Sequence, residues 1–315
     1  MLQGTGGSAE CELYRILHKI LFSEAEKNRL SASERRIILK KRIITAVVGI
    51  SLAVLLLFLA DTPIFPLTVA ALTVIALYEL LKVCKCTEYK VHTIGCYIYG
   101  AAMPFMCAYL PDMIWRILFS AVIMELMFMG YVGDHKKLPF SKLCIMITCT
   151  IMVSISFSGL ITLHQLSPVH GISYIIITLA SAWLADGGAY FAGTFWGKHK
   201  LCPDISPKKT VEGAVGGIVA NVLVLCIYGF GYQKFMASRG IAFDVNYIAF
   251  VIIGIVTSIL GIFGDLTASL LKREHEVKDY GNIIPGHGGV MDRFDSVLFV
   301  LPFMVMFLSF VDIFV

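Results

Sequence analysis

Long apolar runs separated by short polar segments dominate the chain from about residue 43 to its end. Runs near 20 residues match the hydrocarbon thickness of a bilayer, and most of these are apolar on every side. Hydropathy predicts nine transmembrane helices, with bounds good to a few residues, at 43–60, 64–81, 92–110, 113–133, 141–163, 171–193, 213–233, 246–270 and 296–314. The expected fold class is therefore all-α, a polytopic integral membrane protein with about nine spans.

Lysine and arginine are distributed unevenly among the segments that connect these spans. A basic cluster precedes the first span, and most other basic residues fall in alternate loops. The segments on the opposite side hold only Arg116, Lys234 and Arg239. The positive-inside rule thus predicts a cytoplasmic amino terminus and an outside carboxyl terminus.

The same pattern divides the chain into three parts. Residues 1–42 are expected to form a cytoplasmic, amphipathic and basic amino-terminal segment. Residues 43–163 would supply spans one to five, a scaffold with possible dimer contacts. Residues 164–315 would supply spans six to nine and carry the chemistry.

Composition supports a membrane protein and argues against other classes. Of the 315 residues, 57% are hydrophobic and 15% charged, and the mean hydropathy is +0.80, far from the usual soluble composition. The net charge of +4 is small for a nucleic-acid binder, so no nucleic-acid partner is expected. The nine cysteines lack the paired spacing of a zinc site.

A polar segment, Ser269 to Asp295, interrupts the apolar pattern between the last two predicted spans. Asp265, just before it, would lie roughly 10 Å below the cytoplasmic surface, at about 1.5 Å per helical residue. Asp292 and Asp295 share a helical face at the start of the last span, and Asp186 falls near the cytoplasmic end of span six. Carboxylates from three helices are thus expected at one depth.

Carboxylates so close together repel one another unless a cation lies between them. A Mg²⁺ site fits, since this ion takes oxygen ligands and leaves positions for water and substrate phosphates. The alternative is a structural set in which each carboxylate pairs with Lys272, Arg273, Lys278 or Arg293. For Glu79 we favour a side chain that simply reaches the interface, whereas for Glu125 a packing or dimer contact and a site remain equal alternatives.

Groups suited to phosphate lie at the same predicted surface. Gly288 and Gly289 would let the backbone approach an anion at a helix amino terminus. The segment Ser206 to Thr210 adds Lys208 and Lys209. Beside a metal site, these residues indicate phosphate binding.

Two blocks of residues together resemble the signature of a known enzyme family. The first runs from Ser269 to Asp295 as S-x-L-K-R-x4-K-D-x-G-x2-I-P-x-H-G-G-V-x-D-R-F-D. The second is D-x-x-A-Y-F-x-G-x3-G-K from Asp186 to Lys198, followed by I-S-P-K-K-T-x-E-G from Ile205 to Gly213. Both resemble the phosphatidate cytidylyltransferases, also called CDP-diacylglycerol synthases, without departure. The resemblance covers spans six to nine.

The resemblance implies transfer of a cytidylyl group from CTP to phosphatidic acid, giving CDP-diacylglycerol and pyrophosphate. It implies Mg²⁺ bound by Asp265 and Asp292, a second and monovalent cation such as K⁺ at this pair, and a homodimer in the lipid bilayer. A compact chain without an obvious targeting peptide favours a bacterial inner (plasma) membrane, with the active site facing the cytoplasm. An organelle membrane is the alternative.

We expect catalytic roles for Asp265, Asp292, Lys272 and Arg273. The expected substrate-binding residues are Asp186, Ser206, Lys208, Lys209, Thr210, Glu212, Ser269, Lys278, Asp279, His287, Gly288, Gly289, Arg293 and Asp295. A phosphate monoester carries nearly two negative charges near pH 7, so the lipid phosphate needs no general base. Catalysis is expected to consist mainly of positioning and charge stabilisation.

Two other classes would use a similar arrangement of charges. An ion-coupled transporter or lipid flippase would place carboxylates near the bilayer midplane in broken helices. A related lipid or polyprenol kinase would use ATP. The predicted clustering at one interface argues against the transporter, and the choice of nucleotide separates the two enzymes.

Overall fold

The fold is a bundle of long helices with one small hairpin. The computed structural model describes residue 45 and residues 47–49, 51–110, 112–284 and 288–315. Its long helices are α1 (Ile64–Val83), α2 (Lys90–Tyr109), α3 (Met113–Gly133), α4 (Phe140–Gln165), α5 (Gly171–Trp196), α6 (Val211–Ala237), α7 (Tyr247–Glu274) and α8 (Met291–Phe310). They match the second to ninth predicted spans in order.

Seven of these helices are long and apolar enough to cross a membrane, among the residues that the structure describes. The exception is α2, which carries Lys90 and the buried His92 and packs between α1 and α4. A shorter apolar helix, Val47–Phe58, falls within the predicted first span. The structure thus supports a helical membrane protein, and the count of nine spans stays a prediction. The predicted amino-terminal segment, 1–42, lies outside the described residues.

The helices form two layers that meet along α4 and α8. In one layer α2 and α4 pack against α1, and in the other α5, α6, α7 and α8 pack in sequence. Phe157 of α4 and Leu301 of α8 are fully buried at the junction, where Ser156 Oγ donates to Leu298 O over 2.7 Å. The second layer positions the candidate site.

Small and polar residues bring the helices of the second layer close together. An added Cβ at Gly217 of α6 would lie 2.6 Å from the Ala185 carbonyl oxygen of α5, so only glycine permits this approach. Between α6 and α7, buried Asn221 Nδ2 donates to Gly254 O over 3.1 Å and Ser258 Oγ over 3.0 Å. Close backbones and interhelical hydrogen bonds are typical of membrane helices.

The expectation of an all-α fold is wrong at one place, the segment between α5 and α6. Here β1 (Lys200–Cys202) and β2 (Ser206–Thr210) form an antiparallel hairpin. Pro203 and Asp204 occupy its turn, where proline supplies the required φ and Ile205 N donates to Cys202 O over 3.2 Å. A hydropathy scan does not detect so short a polar hairpin.

The last helix begins five residues earlier and ends four residues earlier than predicted. Charged Asp292, Arg293 and Asp295 lower local hydropathy, although all lie in the first turns of α8. The apolar residues after Phe310 instead extend along the chain before α7. Asp244 and Val315 exchange backbone hydrogen bonds of 2.6 and 2.8 Å.

Candidate active site

A cavity of about 560 Å³ lies at the end of the bundle where α5 and α7 finish and where α6 and α8 begin. The four aspartates predicted to converge all line it, together with three lysines of the hairpin. Its lining comprises Asp186, Ala189, Tyr190, Gly193, Thr194, Lys200, Leu201, Lys208, Lys209, Thr210, Gly213, Ala214, Ile262, Asp265, Asp292 and Asp295. The predicted convergence of carboxylates from three helices is therefore confirmed.

Asp292 is the most constrained of these carboxylates, with a side chain only 5% exposed. Its Oδ1 accepts from Lys272 Nζ over 2.9 Å. Its Oδ2 accepts from the backbone N–H of Tyr280 over 2.8 Å and of Gly289 over 3.0 Å. Charge-assisted bonds of this kind are short and fix the orientation of the carboxylate.

Asp265 faces the same cavity from α7. Its Oδ2 lies 2.5 Å from Lys209 Nζ of the hairpin, and both side chains are mostly buried. The contact is an ion pair rather than a well-directed hydrogen bond. The sequence argument paired the carboxylates only with lysines and arginines of the last cytoplasmic loop, and it missed this partner.

Asp186 and Asp295 are linked by a serine that the sequence analysis did not identify. Ser296 Oγ donates to Asp186 Oδ2 over 2.8 Å, and Ser296 N donates to Asp295 Oδ1 over 2.8 Å. The hydroxyl thus holds α5 and α8 together beside the cavity. Ser296 immediately follows the recognised signature, and nothing in its local spacing marks it.

The hairpin brings positive charge to this acidic site. Lys200, Lys208 and Lys209 all line the cavity from β1 and β2. Thr210 ends the hairpin and caps α6, since its Oγ1 accepts from Gly213 N over 3.1 Å. This cap couples the position of the lysines to the start of a membrane helix.

Glu212, in the first turn of α6, does not line the cavity. It binds the two residues that precede β1. Its carboxylate accepts from Lys198 N over 3.1 Å and from His199 Nδ1 over 2.6 Å. Because two residues before β1 are tied to the first turn of α6, the hairpin is closed at its base. Its predicted role in substrate binding is therefore indirect in this geometry.

Several predicted site residues lie outside the cavity lining. Their side chains are exposed or half-buried, and they are Ser206, Ser269, Arg273, Lys278, Asp279 and Arg293. Gly288 has φ +85° and lies against Asp292, while the Gly289 N–H bonds to Asp292 instead of facing a ligand. His287 lies outside the described residues.

Tyr280 supports the site from the loop between α7 and α8. Its phenolic OH donates to Ala268 O over 3.0 Å, and Lys272 Nζ lies 5.2 Å from its ring centroid. Burial, together with the charge of Asp295, raises the pKa of Tyr280 well above its usual range. The phenol therefore stays protonated and serves as a donor.

The interpretation of Glu79 as a side chain that reaches the interface is wrong. Glu79 is 1% exposed, and its Oε2 accepts from Met291 N over 2.8 Å at the first residue of α8. A carboxylate within a span was the available signal. Local spacing could not reveal a partner 212 residues away.

The donor set can be compared with what Mg²⁺ requires. Asp265 and Asp292 offer oxygen ligands to one cavity, and oxygen is what this ion prefers. In residues 51–110, 112–284 and 288–315, no three Asp, Glu, His or Cys side chains meet closely enough to hold a metal. Two aspartates would thus leave several positions to water and phosphate oxygens, which is usual for Mg²⁺, and the residues fit the ion.

A second cavity of about 700 Å³ lies between α2, α3, α4 and α8. Its lining is mainly apolar, and among the described residues Arg116 is the charged side chain in it. It offers neither carboxylates nor lysines to a phosphate and a metal. The first cavity is therefore the candidate site for the chemistry.

Comparison of the sequence with known proteins shows the family of this chain. Residues 40–311 match the cytidylyltransferase family. The chain is 33% identical over 294 residues to the phosphatidate cytidylyltransferase of Bacillus subtilis, covering 86% of this chain and 98% of the relative. It is 32% identical over 266 residues to that of Staphylococcus haemolyticus, covering 84% and 96%, and 46% identical over 132 residues to that of Staphylococcus epidermidis, covering 42% and 47%. With its match spanning nearly the whole sequence, the chain belongs to the cytidylyltransferase family.

Proposed function

We propose that this chain transfers a cytidylyl group from CTP to phosphatidic acid, giving CDP-diacylglycerol and pyrophosphate. The observation that carries the proposal is the cavity in which four aspartates meet three lysines at one end of a membrane bundle. Relatives that align over almost their full length bear the corresponding name. The enzyme class is a nucleotidyltransferase of phospholipid synthesis.

The reaction joins two anions, so the site must above all reduce their repulsion. An oxygen of the lipid phosphate attacks the α-phosphorus of CTP, and the bond from that phosphorus to the β-bridging oxygen breaks to release pyrophosphate. Lys200, Lys208 and Lys209 line the cavity and hold phosphate oxygens. Their charge on one wall orients the nucleotide against the acidic wall.

Asp265 and Asp292 would hold Mg²⁺. When bound, the ion supplies charge neutralisation at the phosphates and orients them for displacement. Lys209 and Lys272 now contact these two carboxylates, so they keep the acidic pair compact. A second cation such as K⁺ at this pair is part of the same proposal.

Lys272 belongs to the aspartate rather than to the phosphates in this geometry. Its ammonium bonds to Asp292 Oδ1 and it is absent from the described cavity lining. We assign it the orientation of Asp292, and we assign the phosphate contacts to the hairpin lysines. Arg273, Lys278 and Arg293 remain at the rim, where they attract anionic substrates over longer range.

The topology that we propose has nine spans, with the amino terminus and the active site on the cytoplasmic side of a bacterial inner membrane. The hairpin, with its three lysines, and the α7–α8 loop, with Lys278, lie at the cavity end of the bundle. Positive loops face the cytoplasm, which is also where CTP is found. The relatives named above are bacterial.

A homodimer is proposed from the surface of α3. Within this helix, all of whose residues are described, only Met127 is buried. The remaining surface is mainly apolar, with Glu125 exposed on it, and is open to lipid or to a second copy. If α3 forms the contact, a Met129→Cys variant should form a disulfide-linked dimer on mild oxidation in native membranes, because this position is 69% exposed. The parent chain should not form this dimer.

The rival transporter class receives less support from the structure. Its carboxylates would lie near midplane in broken helices, whereas Asp292 and Asp295 lie in the first two turns of α8, and Asp186 and Asp265 lie in the second halves of α5 and α7, which are continuous helices. The direct test incubates the purified protein with phosphatidate, Mg²⁺ and labelled CTP or ATP. CDP-lipid and pyrophosphate from CTP alone are expected, whereas phosphorylated lipid from ATP would indicate a kinase, and no product from either would contradict enzyme function.

A further inference from the structure

Glu79 is a buried carboxylate on α1, outside both blocks of the recognised signature. It is 1% exposed and lies near the carboxyl end of its helix. Its Oε2 accepts the backbone N–H of Met291 over 2.8 Å. The contact thus joins the first described layer of helices to the first residue of α8, which carries Asp292 one position later.

Two glycines leave the space that this carboxylate occupies. An added Cβ at Gly289 would lie 2.6 Å from Glu79 Cδ, and one at Gly281 would lie 2.8 Å from the same atom. Neither glycine has a positive φ, so backbone conformation alone does not require glycine at these positions. The close approach of the carboxylate does.

The same segments of chain hold Asp292 from the other side. The N–H groups of Tyr280 and Gly289 both donate to Asp292 Oδ2. Tyr280 directly precedes Gly281, and Gly289 itself touches Glu79. The loop is therefore fixed between two carboxylates, and a shift on the Glu79 side would move the donors that orient Asp292.

The cost of burial suggests why this carboxyl group has a backbone partner. A polar group buried in the bundle is costly unless hydrogen bonds compensate it. The amino terminus of a helix offers free N–H groups and a favourable dipole, which offset part of that cost. An apolar side chain would fill the space at lower cost but could not accept the Met291 N–H.

We propose that Glu79 is a positioning residue, which anchors the α7–α8 loop and the start of α8 so that Asp292 faces the cavity. The proposal rests on the role of Asp292 proposed above. Glu79 does not itself line the cavity, so it acts on the reaction only through the loop.

The first test compares Glu79→Gln and Glu79→Ala with Glu88→Gln, a carboxylate exposed between α1 and α2. Glutamine keeps an acceptor for Met291, whereas alanine removes it. We expect kcat to fall in the order Glu, Gln, Ala, by about 10- to 100-fold for alanine, because small misplacements cost about that much. KM for CTP should change less than about threefold, since the hairpin lysines are untouched.

A merely structural role would give a different pattern. It would lower the melting temperature of both Glu79 variants while leaving kcat per folded enzyme unchanged, and this result would overturn the proposal. If Glu79→Ala does not fold, Glu79→Gln alone decides between a reduced kcat and a reduced melting temperature. Glu88→Gln should match the parent in both.

A double-mutant cycle tests the close approach. Gly289→Ala alone should lower kcat, because the new methyl group collides with Glu79. In the Glu79→Ala background the same change should cost little, so the two effects are not additive. An equal loss in both backgrounds would overturn the proposal.

Asp292→Asn separates this inference from the site assignment. If Asp292→Asn retains turnover, the proposed site is wrong and the positioning role falls with it. If Asp292→Asn is inactive while both Glu79 variants keep the parental kcat, the site stands and the role of Glu79 alone is refuted.

Discussion

Lys209 and Lys272 each contact one of the two central aspartates, yet only Lys209 lines the cavity. This difference assigns the first to phosphate and the second to Asp292. Both residues are lysines, and they differ in the groups that their ammonium groups can reach.

Replacing these lysines by alanine should therefore give different kinetic effects. We expect Lys209→Ala to raise KM for CTP by about tenfold or more, the cost of a lost bond to a charged group. Lys272→Ala should mainly lower kcat, because Asp292 loses its partner. Steady-state kinetics at varied CTP would show the split, with Lys137→Ala, in an exposed loop, as a control that should match the parent.

An equal rise in KM for both variants would contradict this assignment and restore Lys272 to the phosphate clamp expected from the sequence.

The Tyr280 hydroxyl makes a contribution to stability that can be isolated. Tyr280→Phe removes the bond to Ala268 O and should cost about 1 kcal/mol, lowering the melting temperature by roughly 2–4 °C. Thermal unfolding in detergent would measure it. Tyr78→Phe on exposed α1 surface should leave the melting temperature unchanged, and an equal shift in both would remove the specific role of Tyr280.

At the scale of single residues, the sequence was sufficient to predict the residues whose chemistry is unusual for their location. Asp265 and Asp292 could be selected from depth and spacing because charge within a span is costly. The contacts of Ser296 and Glu79 could not be predicted, since their partners Asp186 and Met291 come from distant segments of the chain. Pairings across the bundle depend on packing that one sequence does not encode in local periodicity.

The hairpin between α5 and α6 is the element that converts a basic loop into one wall of the site. The Thr210 cap of α6 and the contacts of Glu212 at the base of the loop fix the position of its lysines relative to α6. The sequence indicated the lysines but not the strands. The pairing of Lys200 with Thr210 brings a third lysine into the cavity.

Removing the cap should affect stability and substrate binding together. Thr210→Val keeps the shape but loses the acceptor for Gly213 N, at a cost of about 1 kcal/mol. We expect a lower melting temperature and a raised KM for CTP, since Lys209 precedes the cap. Thr267→Val, on an exposed face of α7, is the matched control, and a normal KM in Thr210→Val would mean that the cap does not position the lysines.

The boundaries of α8 show the limit of hydropathy for membrane helices near a site. The scan excluded Asp292 and Asp295 because they are charged, although they form the start of the helix. It included residues after Phe310 because they are apolar, although they pair with the segment before α7. Helices were predicted well where they serve only as spans, and less well where they carry the chemistry.

At the scale of the whole molecule, an aromatic cluster around His170 is distinct from the polar cavity. His170, at the start of α5, donates to or accepts from Tyr232 OH over 3.1 Å and packs against Phe243 and Phe314. Burial lowers the pKa of His170, so the folded state favours the neutral imidazole. This cluster fixes the carboxyl-terminal residues to the bundle.

That shift predicts how stability depends on pH. The unfolded state binds the proton more readily, so the contribution of His170 is complete above the ordinary histidine pKa, about 6.5, and is lost as pH falls below it. Between pH 7.5 and pH 5.5, the melting temperature of the parent should therefore fall relative to that of His170→Gln. The exposed His135→Gln should follow the parent across this range, and a constant difference in melting temperature between the parent and His170→Gln would contradict the account.

Orientation is a property of the whole molecule and can be tested with sealed vesicles. Inverted membrane vesicles should consume CTP added from outside, because the lysine-rich cavity end then faces the medium. Right-side-out vesicles should not do so until they are permeabilised. Equal activity in both intact preparations would contradict a cytoplasmic active site.

The most direct measurement follows the α- and γ-phosphorus atoms of CTP in the parent protein and in Asp265→Asn and Asp292→Asn, with Glu88→Gln, exposed between α1 and α2, as the control. With phosphatidate and Mg²⁺, label in the α-phosphate should appear in the lipid product and label in the γ-phosphate in pyrophosphate. Both transfers should be lost in the two aspartate variants, provided that they are folded, and kept in Glu88→Gln. Transfer of the γ-label to lipid, or near-normal transfer by either aspartate variant, would contradict the account of this cavity.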